Sequence, residues 1–258
     1  MKNLLSIEWQ KVKHYRTFWI LLFLSCAIIP ATNYVVHNVT DQMLQKAQGL
    51  ILQNPYDFPL VWQTVANVSS FVNILFGLLL VILITNEFTY RTHRQHIIDG
   101  MERRDFVWGK VYWIGILTAI ALLIALATAA GFGLAYGTHP LSLESMQYMA
   151  FYTLQLLVSL SIALLIALLI KRAGLAIVLY LAYCFVIEQI LVVIVKRIVG
   201  QPGGLLPLQA GDELLPFPVI DKFIPTPRYQ DGVYMAALII YLAVFLWIAF
   251  RRMQRADL

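Results

Sequence analysis

Charge is what this sequence has least of. Asp, Glu, Lys and Arg make up 13% of its 258 residues, whereas apolar and aromatic residues make up 60%. An ordinary soluble domain is about 25% charged. So few charges cannot cover a water-exposed surface of this size, and so much apolar material excludes intrinsic disorder. Two cysteines in so long a chain exclude a disulfide scaffold. Cys26 and Cys184 both lie in apolar runs and read as reduced packing residues. There is no Gly-x-x-x-x-Gly-Lys-Ser/Thr loop to cradle a phosphate, no His-Glu-x-x-His zinc pair and no Gly-x-Ser-x-Gly nucleophile elbow. His93 and His96 stand three apart, but no carboxylate or Cys at matching spacing completes a metal site. Ser159 and Ser161 lie in an apolar run with no His partner. The chain therefore shows no catalytic set and no energy source of its own.

What is present is hydrocarbon. The mean hydropathy is +0.74. Six apolar stretches can each cross a bilayer core of about 30 Å as a helix. They are Phe18–Val36, Val65–Thr85, Val111–Tyr136, Tyr148–Ile170, Ala173–Val195 and Val233–Phe250. Continuous Leu/Ile/Ala/Val runs fit helices, whereas barrel strands would alternate apolar and polar. The sequence predicts an all-α membrane protein with six transmembrane helices in one domain spanning residues 1–258. Met1–Arg16 is too long and too aromatic for the basic region of a signal peptide, and no small-x-small cleavage site follows, so the first span is expected to be retained.

Net charge is +5, with a pI near 9.2. In a membrane protein this excess marks cytoplasmic loops, and no nucleic-acid partner is expected. Assigning connections alternately to the two sides puts 14 Lys and Arg with the termini and 5 on the far side. The positive-inside rule then places both termini in the cytoplasm.

Three connecting segments stand out. In residues 1–16, Leu5, Trp9, Val12 and Tyr15 recur at helical spacing among basic residues, which predicts an interfacial helix. Residues 86–110 are the most charged stretch. A short helix Phe88–Asp99 is expected there, with Arg91, Gln95 and Ile98 on one face, and Ile97 and Ile98 needing cover. Residues 196–231 hold six prolines yet keep apolar patches, which predicts short helices or turns dipping into the outer leaflet. Inside the spans, Glu188 is the one deeply placed acid. A carboxylate there is costly, so it contacts a substrate, ion or proton, or is a structural acid hydrogen-bonded across helices. Asn67 and Asn73 are expected to bond between helices, and Gly131-x-Gly133 with Ala127 permits close helix approach.

This layout resembles the permease subunit of ATP-binding-cassette transporters, of the type-two exporter class. The most telling residues are Glu87 leaving the second span, Thr92, Arg94-Gln95, Gly100, Arg103-Arg104 and Lys110 entering the third. Glu8-x-x-Lys11 also resembles the family's start. Arg91 and Glu102 depart from the Gly and Ser common in that pattern.

The resemblance implies a chain that binds no cofactor itself. A separate cytoplasmic ATPase would hold ATP and Mg, and a second permease copy or paralogue would complete a dimer. The Phe88–Asp99 helix would be the coupling helix, with Glu87, Arg91, Thr92, Arg94, Gln95, Ile98, Arg103 and Arg104 as the ATPase-facing set. The bacterial cytoplasmic membrane is the implied location, and exported peptides, antibiotics or lipids the implied cargo. A membrane anchor or assembly factor without transport is the alternative, followed by an intramembrane enzyme.

Overall fold

The computed structural model describes residues 2–46, 53–90, 103–218 and 228–255. Among these residues every regular element is helical. In chain order they are α1 (Lys2–Lys13), α2 (Arg16–Lys46), α3 (Val61–Ser70), α4 (Asn73–Thr89), α5 (Arg103–Tyr136), α6 (Gln147–Ile170), α7 (Ala173–Ala182), a π-helical turn (Tyr183–Ile187), α8 (Glu188–Ile198), a 3-10 turn (Gln201–Leu205), α9 (Pro207–Leu214) and α10 (Asp231–Arg255).

Five helical stretches are long and apolar enough to cross a membrane: α2, α5, α6, α7 through α8, and α10. The pair α3 and α4 makes a sixth if read as one span, bent by 42°. The chain is thus a multi-pass membrane protein. Several expected spans differ in detail. The second breaks at Phe71–Val72, inside the predicted run and between Ser70 and Asn73. The fifth carries the π turn at Tyr183–Ile187. The third is longer than predicted. At 1.5 Å per residue, the 34 residues of α5 span about 50 Å, so it projects beyond a hydrocarbon core of about 30 Å. Helix α4 likewise runs on to Thr89. The charged connection therefore shrinks from residues 86–110 to 90–102, of which 91–102 lie outside the described residues.

Helix α6 is the centre of the bundle. Leu156, Leu160, Ala163, Leu164 and Ala167 are all buried, and it packs against α3, α4, α5, α7, α9 and α10. It ends where Lys171 turns left-handed (φ 56°) and donates its N–H to Ala167 O. Helices α2, α7, α8 and α10 lie around this core and turn many large apolar side chains outward, among them Phe23, Val178, Val193 and Trp247. Outward apolar faces suit a hydrocarbon solvent.

Tyr180 of α7 fits against Gly77 of α4, where an added Cβ would lie 1.9 Å from the phenolic oxygen. Ser159 is hydrogen-bonded to that same hydroxyl at 3.1 Å. The small-residue pattern on α5 splits. Gly133 seats the Phe58 ring, whereas a Cβ on Gly131 would meet nothing within 4 Å.

Candidate functional site: a buried charge cluster at the helix α1 end

Glu8, Lys11, Glu87 and Lys110 meet between α1, α4 and α5. Lys110 is wholly buried. Its Nζ donates to Glu8 Oε2 at 2.8 Å and to Glu87 Oε1. Lys11 Nζ donates to Glu8 Oε1 at 2.7 Å and reaches Glu87 Oε2 at 3.3 Å. The Trp113 indole N–H donates to Glu8 Oε2 at 3.1 Å. Two cations and two carboxylates thus close a ring in which each cation bridges both acids, so no net charge is left inside. Burial alone would raise the Glu8 carboxyl, but the Lys110 and Lys11 ammonium groups outweigh it and hold the group below the usual carboxylate range.

Local sequence builds this ring. Glu8 and Lys11 stand three apart on α1 and share a face. Gly109 lets α1 approach, because a Cβ there would come within 3.0 Å of the Glu8 carboxyl. Val12, one turn after Glu8, is buried, and Phe18 meets Trp113 edge-on with ring centroids 5.2 Å apart. Asn86 Nδ2 donates to Tyr15 Oη at 2.8 Å, tying the end of α4 to the α1–α2 turn. The predicted stripe on α1 divides: Val12 enters the core, whereas Trp9 is half exposed and packs edge-on against Trp19 at 5.9 Å. A cavity of about 230 Å³ opens beside the ring, with Lys11, Tyr15, Asn86, Glu87 and Tyr90 in its wall.

The sequence-predicted residues fare differently. Glu87 lies in the ring. Arg104 is exposed on the first turn of α5, and Arg103 opens that helix. Arg91, Thr92, Arg94, Gln95 and Ile98 lie outside the described residues, as do His93, His96 and all of the expected Phe88–Asp99 helix beyond Tyr90. The ring brackets that segment, since Glu87 precedes it by a turn and Lys110 follows it by two. Lys110 and the Glu8-x-x-Lys11 pair are legible as sequence features, but their meeting is not. The available signal is four ionisable residues of balanced sign at the margins of apolar runs.

Glu188 is remote from the ring and fully buried. Its Oε1 accepts from the backbone N–H of Leu208 at 2.5 Å and of Gln209 at 3.0 Å, capping α9. Leu206, at the N-cap position, makes no side-chain cap, so the fifth span supplies the acceptor that a helix start favours. Polar side chains of two other spans also end on this segment. Gln155 Nε2 donates to Asp212 at 2.8 Å, Gln63 Nε2 donates to Pro216 O at 2.8 Å, and Asn67 Nδ2 donates to Leu215 O. The 196–231 connection thus contains a short helix held by three spans. Residues 219–227 lie outside the described residues.

At the same end as α9, Asp57 gathers four donors: Thr138 N (3.0 Å) and Oγ1 (2.6 Å), and His139 N (2.9 Å) and Nδ1 (2.6 Å). Partial burial raises this carboxyl, but these bonds outweigh it and bring it down to about 2. Among the described residues no group of three or more His, Cys, Asp or Glu could hold a metal ion.

Comparison with known proteins gives one finding. A family model described as "ABC-2 family transporter protein" matches residues 4–187, from α1 through the π turn of the fifth span. A search of curated proteins finds no match.

Proposed function

Because the chain belongs to the ABC-2 transporter family, a family of membrane permeases, we propose that it is the transmembrane subunit of an ATP-driven exporter. It forms half of a translocation pathway, with a second copy or a paralogue as the other half. A separate cytoplasmic ABC ATPase binds ATP and Mg and drives it. The excess of Lys and Arg on the termini side supports both termini facing the cytoplasm, and the family likeness supports a bacterial cytoplasmic membrane. Peptides, antibiotics and lipids are the cargo classes in view.

One observation carries the reading: the Glu8–Lys11–Glu87–Lys110 ring. A segment that must transmit force needs both ends fixed to the bundle. Here Glu87 and Lys110 fix the two ends of residues 90–102 to each other and to α1. The ATPase meets that segment through Arg91, Thr92, Arg94, Gln95 and Ile98, with Arg103 and Arg104 beside it, and its closure displaces α4 and α5 together. Lys110 and Glu87 are positioning residues in this scheme. Glu188 serves the pathway by holding α9.

The test has two stages. A tagged pull-down from detergent-solubilised native membranes, read by mass spectrometry, should recover a stoichiometric nucleotide-binding subunit. Recovery of an otherwise intact complex with no ATPase would overturn the reading in favour of an anchor. In the recovered complex, Glu87→Gln should keep the ATPase bound but reduce cargo export per ATP hydrolysed. Unchanged coupling would remove the ring from the mechanism.

A further inference from the structure

The second span breaks between α3 and α4, and two polar side chains flank the break. Ser69 is fully buried and Asn73 nearly so, at 4% exposure. Ser69 Oγ and both Asn73 side-chain atoms, Oδ1 and Nδ2, make no hydrogen bond among the described residues. The neighbouring polar residues behave otherwise. Thr64 and Thr85 donate to carbonyls one turn back, Ser70 donates to Asn67 O, and Asn67 reaches Leu215 O. Within this span the unmade bonds therefore fall at the break; elsewhere Thr118, Tyr152, Gln155 and Glu188 each keep a single buried atom without a partner among the described residues.

The backbone there is also irregular. Val72 N–H bonds to Ser69 O and Leu75 N–H to Val72 O, each at 3.0 Å, so three-residue links replace the four-residue ladder. Val72, at the start of α4, offers no side-chain acceptor to the first turn. Val68, Val72 and Phe76 around these positions are buried and apolar, and they supply neither donor nor acceptor.

We propose that Ser69 and Asn73 hold ordered water at this break, making a hydration site inside the bundle. The ligand must be small and must both donate and accept. The Asn73 amide presents a donor and an acceptor, and the Ser69 hydroxyl is four residues away on the other side of the break. Water meets that demand with two to four partners. Water inserted at a helix bend is a recognised cause of bending and re-satisfies backbone groups freed there.

The site has a mechanical consequence that builds on the proposed function. Helix α3 is tied at one end to residues 215 and 216, and α4 is tied at the other end to the charge ring. A hydrated break lets the two halves of the span pivot without exposing unpaired polar groups to hydrocarbon.

The direct test is hydroxyl-radical footprinting of the full chain in lipid nanodiscs, which marks buried side chains next to bound water. Relative to the intrinsic reactivity of each side chain, Phe76 and Val72 should be modified several-fold more than Leu160 and Leu164, which are comparably buried in α6. Ser69→Ala with Asn73→Leu should lower Phe76 and Val72 to the α6 level. Labelling of Phe76 and Val72 no higher than that of Leu160 in the native chain would overturn the site. If the double variant does not fold, Asn73→Ser and Asn73→Val decide it. Labelling kept by the first and lost by the second supports bound water, and equal labelling overturns it. This readout needs no ATPase and no cargo, so it fails separately from the transport reading.

Discussion

Lys110 is the residue whose surroundings are least forgiving. Its ammonium is fully buried and lies between two acids. Removing one partner of a buried pair strands the other charge and costs about 3–5 kcal/mol. Lys110→Met should therefore lower the melting temperature of detergent-purified protein sharply, as read by scanning fluorimetry. Glu8→Gln should cost less, because Lys110 keeps Glu87. The two changes should not add, since they share one network. Asp57 makes a second prediction. Its carboxyl titrates at about 2 in the folded chain, whereas an unfolded Asp titrates at about 3.9. A depressed folded value means the Asp57 contribution is complete above about pH 4 and is lost as pH falls towards about 2. Asp57→Asn should remove that part of the acid dependence of the melting temperature. An unchanged acid profile would show that the Thr138 and His139 contacts contribute nothing.

At the level of elements, close packing and capping decide what changes are tolerated. Helix α7 lies so near α4 that Gly77→Ala drives a methyl into the Tyr180 ring. Overpacking of this kind costs about 1–3 kcal/mol. Folded yield should fall, and Tyr180→Leu in the same chain should recover part of it, both measured by fluorescence size-exclusion chromatography. The short helix α9 depends on a cap from another span. Glu188→Ala removes the acceptor of two helix-start amides, and losing such a cap costs about 0.5–2 kcal/mol. Glu188→Gln keeps a carbonyl oxygen and should lose less. Protease resistance of the 196–231 connection in sealed vesicles reads the difference. Equal resistance in both variants and the native chain would show that the cap is idle.

At the scale of the whole molecule, the charges that matter are inside. Exposed ion pairs weaken as salt rises from about 0.1 to 1 M, because the Debye length shrinks from about 10 to 3 Å. The ring is shielded from that change, so the melting temperature should stay nearly constant across that range. Acid should lower it, because Glu8 and Asp57 both titrate below their ordinary values. A strong fall with salt would place the stabilising charges on the surface instead.

Much of the helical architecture was legible in the sequence because hydrocarbon forces it: an apolar run of about 20 residues has few options besides a helix. The family resemblance marked Glu87, Lys110 and Glu8-x-x-Lys11 as separate features, and the apolar run around Glu188 marked it as an acid for a pathway or for a hydrogen-bonding partner. The sequence could not show that the first four form one ring, because α1, α4 and α5 are brought together by packing between residues 23 to 102 positions apart. Nor did it show the break at Phe71–Val72, since Phe and Val carry no helix-breaking signal. Ahead of the bend, Asn67 and Gln63 reach residues 215 and 216. Composition and periodicity determined a multi-pass helical membrane protein, because these are local properties of the chain. Which charges neutralise one another, which carboxylate caps which helix and where the second span bends were decided only by the tertiary structure. A buried polar group must find its partner wherever the fold has placed one.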